Sequence, residues 1–491
     1  MGFKITSARH YFFLATIISL FSYFLFSENY LYITILVIVI ISYAFAPVFI
    51  QNTPFILQGI IFLIPLSIDV LIPGGIKIST PSEFLILAIF GLSFFRWLSG
   101  YKLDHQILKH PISILLLLDI GWMLFTTITS QIPSVSTKRL IIKGLFLGVF
   151  YFLFLHSFQK TKSLKSLFWL YGFGIIIPVL NAIYTHSLFG FNQRASIFVS
   201  QPFYVEHTLY AACLAFILPF YTVSFFNKGK YKWSYFLLIS LFTLAIVFSY
   251  SRAAWISLGL AFVFYIITQL KISFKAISIG MLIIVGLGIF NFESMYEGLS
   301  RSSTKYGNDV TQHLTSVTNL QNDASNLERI NRWVSAFNMF KAKPITGFGP
   351  GTYQFVYDEF QLTQFTTRIS THHGDKGNAH SEYLMYLSES GFIGFLIFTL
   401  ILIYSVYLSM KLLYSDVSKS DKQLVYAAIL GLITFYIHGL FNSFLDSEKM
   451  AILYFGSLAV LSRIDLNTKK TFKTHENVKG FDTDSVSISN G

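Results

Sequence analysis

The sequence predicts an all-α polytopic membrane protein with about 12 to 14 transmembrane helices and one large outward loop that contains short helices. Hydrophobic residues make up 54% of its 491 residues. Charged residues make up only 12%, whereas a soluble globular protein has about 25%. Apolar runs long enough to cross about 30 Å of hydrocarbon recur along nearly the whole chain. These observations place the chain in a lipid bilayer.

Each predicted span is an apolar run of helical length. The spans lie near residues 11–26, 30–50, 55–73, 83–98, 111–129, 140–158, 167–186, 208–226, 235–250, 253–269, 274–292, 391–412, 424–445 and 449–463. Several of these runs are short, so about twelve or thirteen crossings remain an alternative.

The spans divide the chain into four regions. Residues 1–292 form a membrane region of about eleven spans, and 391–463 form a C-terminal region of about three more. Between them lies 293–390, the only long hydrophilic segment; loops of this length are usually functional or form a small domain. Residues 464–491 form a polar tail that we expect to be disordered.

The distribution of positive charge predicts the topology. When the chain is threaded from a cytoplasmic N-terminus, most lysines and arginines fall in cytoplasmic segments, as the positive-inside rule requires. Lys138 and Arg139 are the one local exception. Both termini are then cytoplasmic and the loop 293–390 faces outward. The formal charge of +12 is thus explained by membrane topology, and we expect no nucleic-acid partner. The first apolar run has no small-residue cleavage site after it and is interpreted as a retained helix.

Metal chemistry finds little support in the sequence. The single cysteine, Cys213, lies in a predicted span, which excludes an intrachain disulfide and a thiolate metal cluster. The outward loop contains no Asp-x-Asp motif and no tight group of His, Asp and Glu. We therefore predict no metal site and no cofactor.

Two helices are predicted inside the outward loop. Ser325 and Glu328 have the spacing of a capping box, apolar residues follow at helical spacing, and Pro344 ends the run. A second helix is predicted from near Asn378 to just before Gly391.

Three basic residues are candidates for chemistry, and each has a plainer interpretation. Arg252, at a predicted membrane boundary, is either an interfacial anchor or a guanidinium fork for phosphate. Arg329 is ordinarily a solvated surface residue, as we expect its neighbour Arg332 to be. His380 is either structural or a general base, because an unperturbed imidazole titrates near pH 6.5. None of these signals is specific on its own.

A glycine-rich corner separates the two predicted loop helices. Gly347, Gly349 and Gly351 lie close together between two prolines, which requires a tight turn. The corner is either a simple connection between helices or an anion nest made of bare N–H groups. It is not a nucleotide P-loop, since no Gly-Lys-Ser/Thr follows.

Taken together and in order, these motifs resemble the O-antigen ligase and polymerase superfamily. They are SRAAW at 251–255, an arginine four residues before Trp333, KPITGFGPGTYQF at 343–355 and AHSEYLMYLSESGFIG at 379–394. The resemblance covers about residues 240–400, and the segment from Arg194 to His207 is similar to the family's outward segment before a span. Members often have Asn after the histidine, where this chain has Ser381, so the subfamily stays open.

The resemblance implies a metal-independent glycosyltransferase of the bacterial inner membrane, with its active site on the periplasmic face. It would move a glycan from an undecaprenyl-diphosphate-linked donor to an acceptor hydroxyl, in lipopolysaccharide or exopolysaccharide biosynthesis. A single displacement would invert the anomeric configuration. The acceptor hydroxyl is that of lipid A core, a growing polysaccharide or a protein Ser/Thr, which leaves a polymerase and a protein O-oligosaccharyltransferase as alternatives.

The resemblance also assigns roles to individual residues. Arg252 and Arg329 would hold the donor diphosphate, and His380 would be the catalytic histidine. Glu382 and Glu389 are weaker candidates for orienting that histidine. The remaining residues expected to bind substrate are Arg194, His207, Gly347, Gly349, Gly351 and Glu382.

A glycolipid transporter or flippase is the competing hypothesis. Asp69, Asp119 and His438 lie in predicted spans, and intramembrane ionisable groups often mark ion pathways. The sequence shows no repeated halves and no paired broken helices at corresponding positions, which transporters commonly have. We therefore favour the enzyme.

Overall fold

The computed structural model describes residues 52–72, 76–98, 104–226, 231–290, 323–362 and 377–486. The predicted spans at 11–26 and 30–50 lie outside these residues, as does most of the first part of the outward loop. In the N-terminal half the helices and strands are α1 (Thr53–Leu63), β1 (Ile68–Ile72), β2 (Ile76–Thr80), α2 (Ser82–Leu98), α3 (His105–Leu108), α4 (Pro111–Ile128), α5 (Pro133–Ser157), α6 (Thr161–Leu164), α7 (Ser166–Leu188) and α8 (His207–Phe226). In the C-terminal half they are α9 (Lys232–Phe248), α10 (Arg252–Gln269), α11 (Phe274–Phe290), α12 (Asp323–Ala342), α13 (Tyr353–Val356), α14 (Glu382–Tyr414), α15 (Lys419–His438) and α16 (Glu448–Val486).

The architecture confirms an all-α polytopic membrane protein. Within the described part of the chain, seven segments are long and apolar enough to span a membrane, and α1, α9 and α11 contain shorter apolar stretches. α5 contains a π-helical segment, Leu147–Leu153. Most predicted spans match a helix to within a few residues, because the length of an apolar run is a local property of the sequence.

The predicted span at 55–73 is wrong in its second half. α1 ends at Leu63, a 3₁₀ turn containing Pro65 follows, and the chain then forms an antiparallel hairpin in which Ile68 lies opposite Thr80. Asp69 accepts a hydrogen bond from Ser79 Oγ at 2.5 Å within this hairpin. Asp69 is therefore not an intramembrane carboxylate on a helix, because a proline and a β-branched run replace helix by strand.

α15 lies at the centre of the helix bundle. It packs most extensively against α8 and α10, and also against α14 and α16. Its residues from Leu424 to Tyr436 are almost all buried, as expected for a helix that is apolar on every side. The ends of these helices decide where the candidate site forms: α14 begins against the end of α15, where the Glu382 N–H donates to the Gly439 and Asn442 carbonyls. We call this end of the bundle the site end.

The loop helices are present, with different boundaries from those predicted. α12 begins at Asp323, two residues before the predicted capping box, and Glu328 forms an ion pair with Arg332. The second loop helix ends at Gly391, close to where the sequence predicted: the φ of 67° there is not helical, and the second half of α14 continues from this break to Tyr414. A β-carbon on Gly391 would lie 2.1 Å from the Ile345 carbonyl oxygen, so only glycine fits this close approach.

The polar tail is helical where we expected disorder. α16 runs on past Arg463 to Val486. Its first turn beyond the apolar stretch is fixed by Asp465, which lies 3.5 Å from His110 Nε2 and 2.6 Å from Lys469 Nζ. These contacts anchor a helix that the composition alone does not predict.

Candidate functional site

Arg329 is the centre of the candidate site. It lies in the second turn of α12 and is half-buried. Arg252, His207, His380 and His438 all lie within electrostatic range of its guanidinium. Three of these four residues, His207, Arg252 and His380, were predicted site residues. The first and the last of them are more than 170 residues apart in the chain.

In the described part of the chain, the two arginines have no carboxylate partner. Arg252 is the first residue of α10 and is exposed. Among the described residues, neither the Arg252 nor the Arg329 guanidinium forms an ion pair or a hydrogen bond, and the carboxylates nearby bind elsewhere: Glu328 to Arg332 and Asp446 to Arg139. Burial, followed by the charge of Arg252, lowers the pKa of Arg329. Two like charges held together in this way favour an anionic ligand.

Helix ends add to the positive potential. α8 begins at His207, α10 at Arg252 and α14 at Glu382, two residues after His380, all at the site end. The N-terminus of a helix carries a partial positive charge, which favours phosphate; at α14, protein groups already accept from the Glu382 and Leu384 N–H groups. The helices therefore act in the same direction as the arginines.

The surrounding backbone fixes His380 in one position. Its φ is 47°, a left-handed conformation that is uncommon for a residue other than glycine. The His380 N–H donates to Asn378 Oδ1 at 2.9 Å, and the His380 carbonyl accepts from Trp333 Nε1 at 3.3 Å. Trp333 thus ties α12 to the histidine, which explains why a tryptophan four residues after Arg329 belongs to the motif.

The imidazole of His380 is not an unperturbed base. Burial, followed by the charges of Arg332 and Arg329, lowers the pKa of His380 to about 3. The ring is therefore neutral at pH 7 and has a free lone pair. An anion bound at Arg329 would oppose the arginine charges and raise this pKa.

Arg332 is not solvated, contrary to the sequence-based expectation. It is 7% exposed, and its Nε lies 2.8 Å from Glu328 Oε1. Its Nη1 donates to the Asn378 carbonyl at 3.0 Å, and its guanidinium lies 5.4 Å from the centre of the Tyr357 ring. Arg332 therefore holds the segment before His380 in place. Glu328 is a local partner on the same helix, whereas Asn378 and Tyr357 lie too far along the chain for the sequence to predict them.

The glycine corner is a turn whose N–H groups are occupied. The Gly347 N–H donates to the Lys343 carbonyl at 3.0 Å and the Gly349 N–H to the Glu389 carbonyl at 2.9 Å. The Gly351 N–H donates to Glu389 Oε2 at 2.8 Å. The interpretation as bare N–H groups is therefore wrong: the protein's own Lys343 and Glu389 accept from them. The φ values of 66°, 109° and 77° at the three glycines explain why glycine is needed.

Glu382 also has a structural role. Its carboxylate accepts from Ser443 Oγ at 3.0 Å and from the Phe444 N–H at 2.9 Å, which fixes the turn between α15 and α16. Among the described residues, neither Glu382 nor Glu389 forms a hydrogen bond to His380. The prediction that one of them orients the histidine is not supported by these contacts.

Arg194 lies in the turn region that follows α7. It is exposed and directly precedes the 3₁₀ turn Ala195–Ile197. The same region is joined to the start of α10, because Tyr250 Oη donates to the Phe191 carbonyl at 2.9 Å. A role of Arg194 in binding stays a prediction.

The sequence placed His438 and Asp119 with the transporter hypothesis. In the structure Asp119 pairs with Lys143, at 2.6 Å, and so is neutralised within the fold. His438 instead lies near Arg329, at the candidate site. The sequence signal for this residue was a histidine at the end of an apolar span, and nothing local connected it to a loop helix about 110 residues earlier.

Fold and site together define a multi-pass membrane protein with a cluster of arginines and histidines at one end of its helix bundle. Residues 235–399, about a third of the chain, match the family model Wzy_C, described as O-antigen ligase. This match supports the resemblance that the motifs predicted, and the matched residues include Arg252, Arg329 and His380. Members of the family are glycosyltransferase-like enzymes of polysaccharide biosynthesis. No curated protein matches the chain.

Proposed function

We propose that this protein transfers a glycan from an undecaprenyl-diphosphate-linked donor to an acceptor hydroxyl. One observation carries the proposal: Arg252 and Arg329 lie within electrostatic range of each other, without a carboxylate partner among the described residues, and Arg329 also acts on His380. All three residues lie in the part of the chain that matches the O-antigen ligase family. A diphosphate is the anion that two guanidinium forks and the N-termini of α8 and α10 suit best.

The reaction is a single displacement. The acceptor oxygen attacks the anomeric carbon, the bond from that carbon to the phosphate oxygen breaks, and its electron pair stays on the phosphate. Arg252 and Arg329 compensate the charge that develops on the leaving diphosphate. The acceptor proton passes to His380, and the product has the opposite anomeric configuration. The leaving group is already good, so positioning and charge compensation suffice without a metal.

The low pKa of His380 connects the binding of the donor diphosphate with the transfer of the acceptor proton. In the free protein, burial and the arginine charges keep the imidazole neutral but weakly basic. Once the diphosphate occupies the arginines, its negative charge raises the pKa of His380 toward the range of an effective base. General-base catalysis therefore becomes effective only after the donor is bound.

The site end faces the periplasm in this proposal, with both termini in the cytoplasm of a bacterium and the bundle in its inner membrane. The distribution of lysine and arginine supports this orientation. The acceptor is lipid A core, a growing polysaccharide or a protein hydroxyl, all of which present the same nucleophile. The family supports polysaccharide biosynthesis as the setting.

Purified protein in proteoliposomes tests the proposal. A synthetic undecaprenyl-diphosphate oligosaccharide and a panel of the three acceptor types are supplied, and released undecaprenyl diphosphate and glycosylated acceptor are measured by mass spectrometry. We expect both products in the presence of EDTA. If the labelled glycolipid crosses the vesicle membrane but never changes chemically, the protein is a transporter. Loss of transfer in EDTA, restored by magnesium or manganese, overturns the metal-independent mechanism.

The arginine variants provide the matched controls. Arg252→Lys and Arg329→Lys keep the charge but lose the bidentate fork, so donor binding and transfer should both fall. His380→Ala should bind donor normally while transfer falls by about 10²- to 10⁴-fold. Near-normal transfer by His380→Ala would make the histidine structural.

A further inference from the structure

His438, the last residue of α15, is a buried histidine without a hydrogen-bond partner. It is 1% exposed, and neither ring nitrogen finds a partner among the described residues. Its ring contacts the edge of the Phe444 ring at 5.3 Å, which holds it in one orientation. Buried polar side chains are nearly always hydrogen-bonded, so an unpaired imidazole points to a ligand that completes the site.

The position of His438 follows from the packing of α15. This helix packs against α8 and α10, which begin with His207 and Arg252. Beyond its end, the chain turns so that the His438 carbonyl accepts from the Phe441 N–H at 3.0 Å, and the Phe441 ring lies 6.5 Å from the Trp333 ring. His438 therefore lies within electrostatic range of Arg329 at the end of α15, whereas His380 does so from the segment before α14.

The charges around His438 identify the kind of ligand. Arg329 and His207 act on it electrostatically, and no carboxylate among the described residues pairs with any of the three. A neutral imidazole offers one N–H donor, and a hydrogen bond to an ionised oxygen is stronger than one to a neutral oxygen. The ligand that suits a guanidinium and an imidazole donor together is a phosphate group.

We propose that His438 is a further catalytic residue, whose imidazole N–H donates a hydrogen bond to the diphosphate that Arg329 binds. This inference rests on the proposed function and deepens it. When the bond from the anomeric carbon to oxygen breaks, the electron pair moves onto the phosphate oxygen, and the hydrogen bond from His438 strengthens. His438 gains and loses no proton; the acceptor proton goes to His380. The two histidines thus serve opposite ends of the displacement.

The test measures the binding of farnesyl diphosphate and farnesyl monophosphate to the purified full-length protein in detergent, by microscale thermophoresis. His438→Leu removes the donor, and His438→Gln retains an N–H donor of similar reach. We expect His438→Leu to weaken diphosphate binding by about 10- to 100-fold, the value of a hydrogen bond to a charged group. We expect His438→Gln to retain most of the affinity. His110→Gln is the matched control, because His110 is 2% exposed at the opposite end of α4 from the glycine corner; diphosphate affinity should not change.

Thermal unfolding separates a ligand role from a structural one. His438→Leu replaces an unpaired buried polar group by an apolar one, so the unfolding temperature of the ligand-free protein should be unchanged or higher. A structural histidine would show the reverse pattern: a lower unfolding temperature and unchanged affinity. That pattern, or a well-folded His438→Gln that loses as much affinity as His438→Leu, overturns the inference.

The arginine variants distinguish failure of this inference from failure of the proposed function. If Arg329→Ala loses the preference for diphosphate over monophosphate while His438→Leu keeps it, only the role of His438 is wrong. If the unaltered protein shows no such preference, or Arg329→Ala keeps it, the diphosphate site itself is wrong and the proposed function falls with it.

Discussion

Replacement of two arginines three residues apart should have opposite consequences. Arg332 is buried in an ion pair with Glu328, at 2.8 Å, and also holds the Asn378 carbonyl. Removal of one partner of a buried ion pair leaves the other charge uncompensated and typically costs about 3 to 5 kcal/mol. Arg332→Ala should therefore lower the free energy of unfolding by about that amount. Arg329 has no such partner among the described residues, so Arg329→Ala should leave stability unchanged or raised while transfer is lost.

A double replacement checks the predicted loss in the free energy of unfolding caused by removal of Arg332. When a buried ion pair is replaced by apolar residues of similar volume, stability is often unchanged or increased. Arg332→Met combined with Glu328→Leu should thus be clearly more stable than Arg332→Met alone. The remaining loss in the double variant reports the hydrogen bond to the Asn378 carbonyl, about 1.5 to 3 kcal/mol for a charged donor.

The assay is thermal unfolding of detergent-purified protein, followed by size-exclusion chromatography, with transfer measured on the same samples. Arg329→Ala should elute as folded protein without transfer, and Arg332→Ala should unfold at a lower temperature. If Arg332→Ala is as stable as the unaltered protein but inactive, while Arg329→Ala is active, the roles of the two residues are exchanged. That result would refute both the packing argument and the diphosphate site.

Three further predictions concern the corner, the histidine and the topology. Gly349→Ala places a β-carbon 2.1 Å from Ser130 Oγ at a φ of 109° and should abolish stable folding, whereas Gly190→Ala, at a φ of 61° with open space around it, should cost only about 1 kcal/mol in thermal unfolding. The pKa of His380 in the folded protein lies below its unfolded value near 6.5, so the stability that the neutral imidazole contributes is complete above pH 6.5 and is lost as the pH falls toward about 3. His380→Gln should remove this part of the pH dependence of the free energy of unfolding. An unchanged pH dependence would show that the imidazole is not held neutral. A cysteine at Ser420, in a variant without other cysteines, should react with an impermeant thiol reagent only after the membrane is permeabilised. Labelling of this cysteine in intact cells would contradict the predicted topology.

The order of motifs and the helices that carry them could be predicted from the sequence. An apolar run long enough to cross a bilayer is a local feature, and so is the helical spacing that continues from Arg329 to Pro344. The same holds for Arg252, placed at the start of a helix by the end of the preceding apolar run. These local features were sufficient for the membrane class, the family and three of the residues around Arg329.

Only the tertiary structure decided which polar groups are paired. Arg329 and Arg332 look alike in sequence. In the structure Arg332 donates to the Asn378 carbonyl and packs over the Tyr357 ring, whereas Arg329 lies within electrostatic range of a like charge, Arg252. Likewise, the carboxylate that occupies the glycine corner belongs to Glu389, 38 residues from Gly351. A hydrogen bond depends on distance in space, and the folding of the bundle alone sets the distance between residues far apart in the chain. For the same reason, the sequence associated His438 with an ion pathway, whereas the structure places it near Arg329.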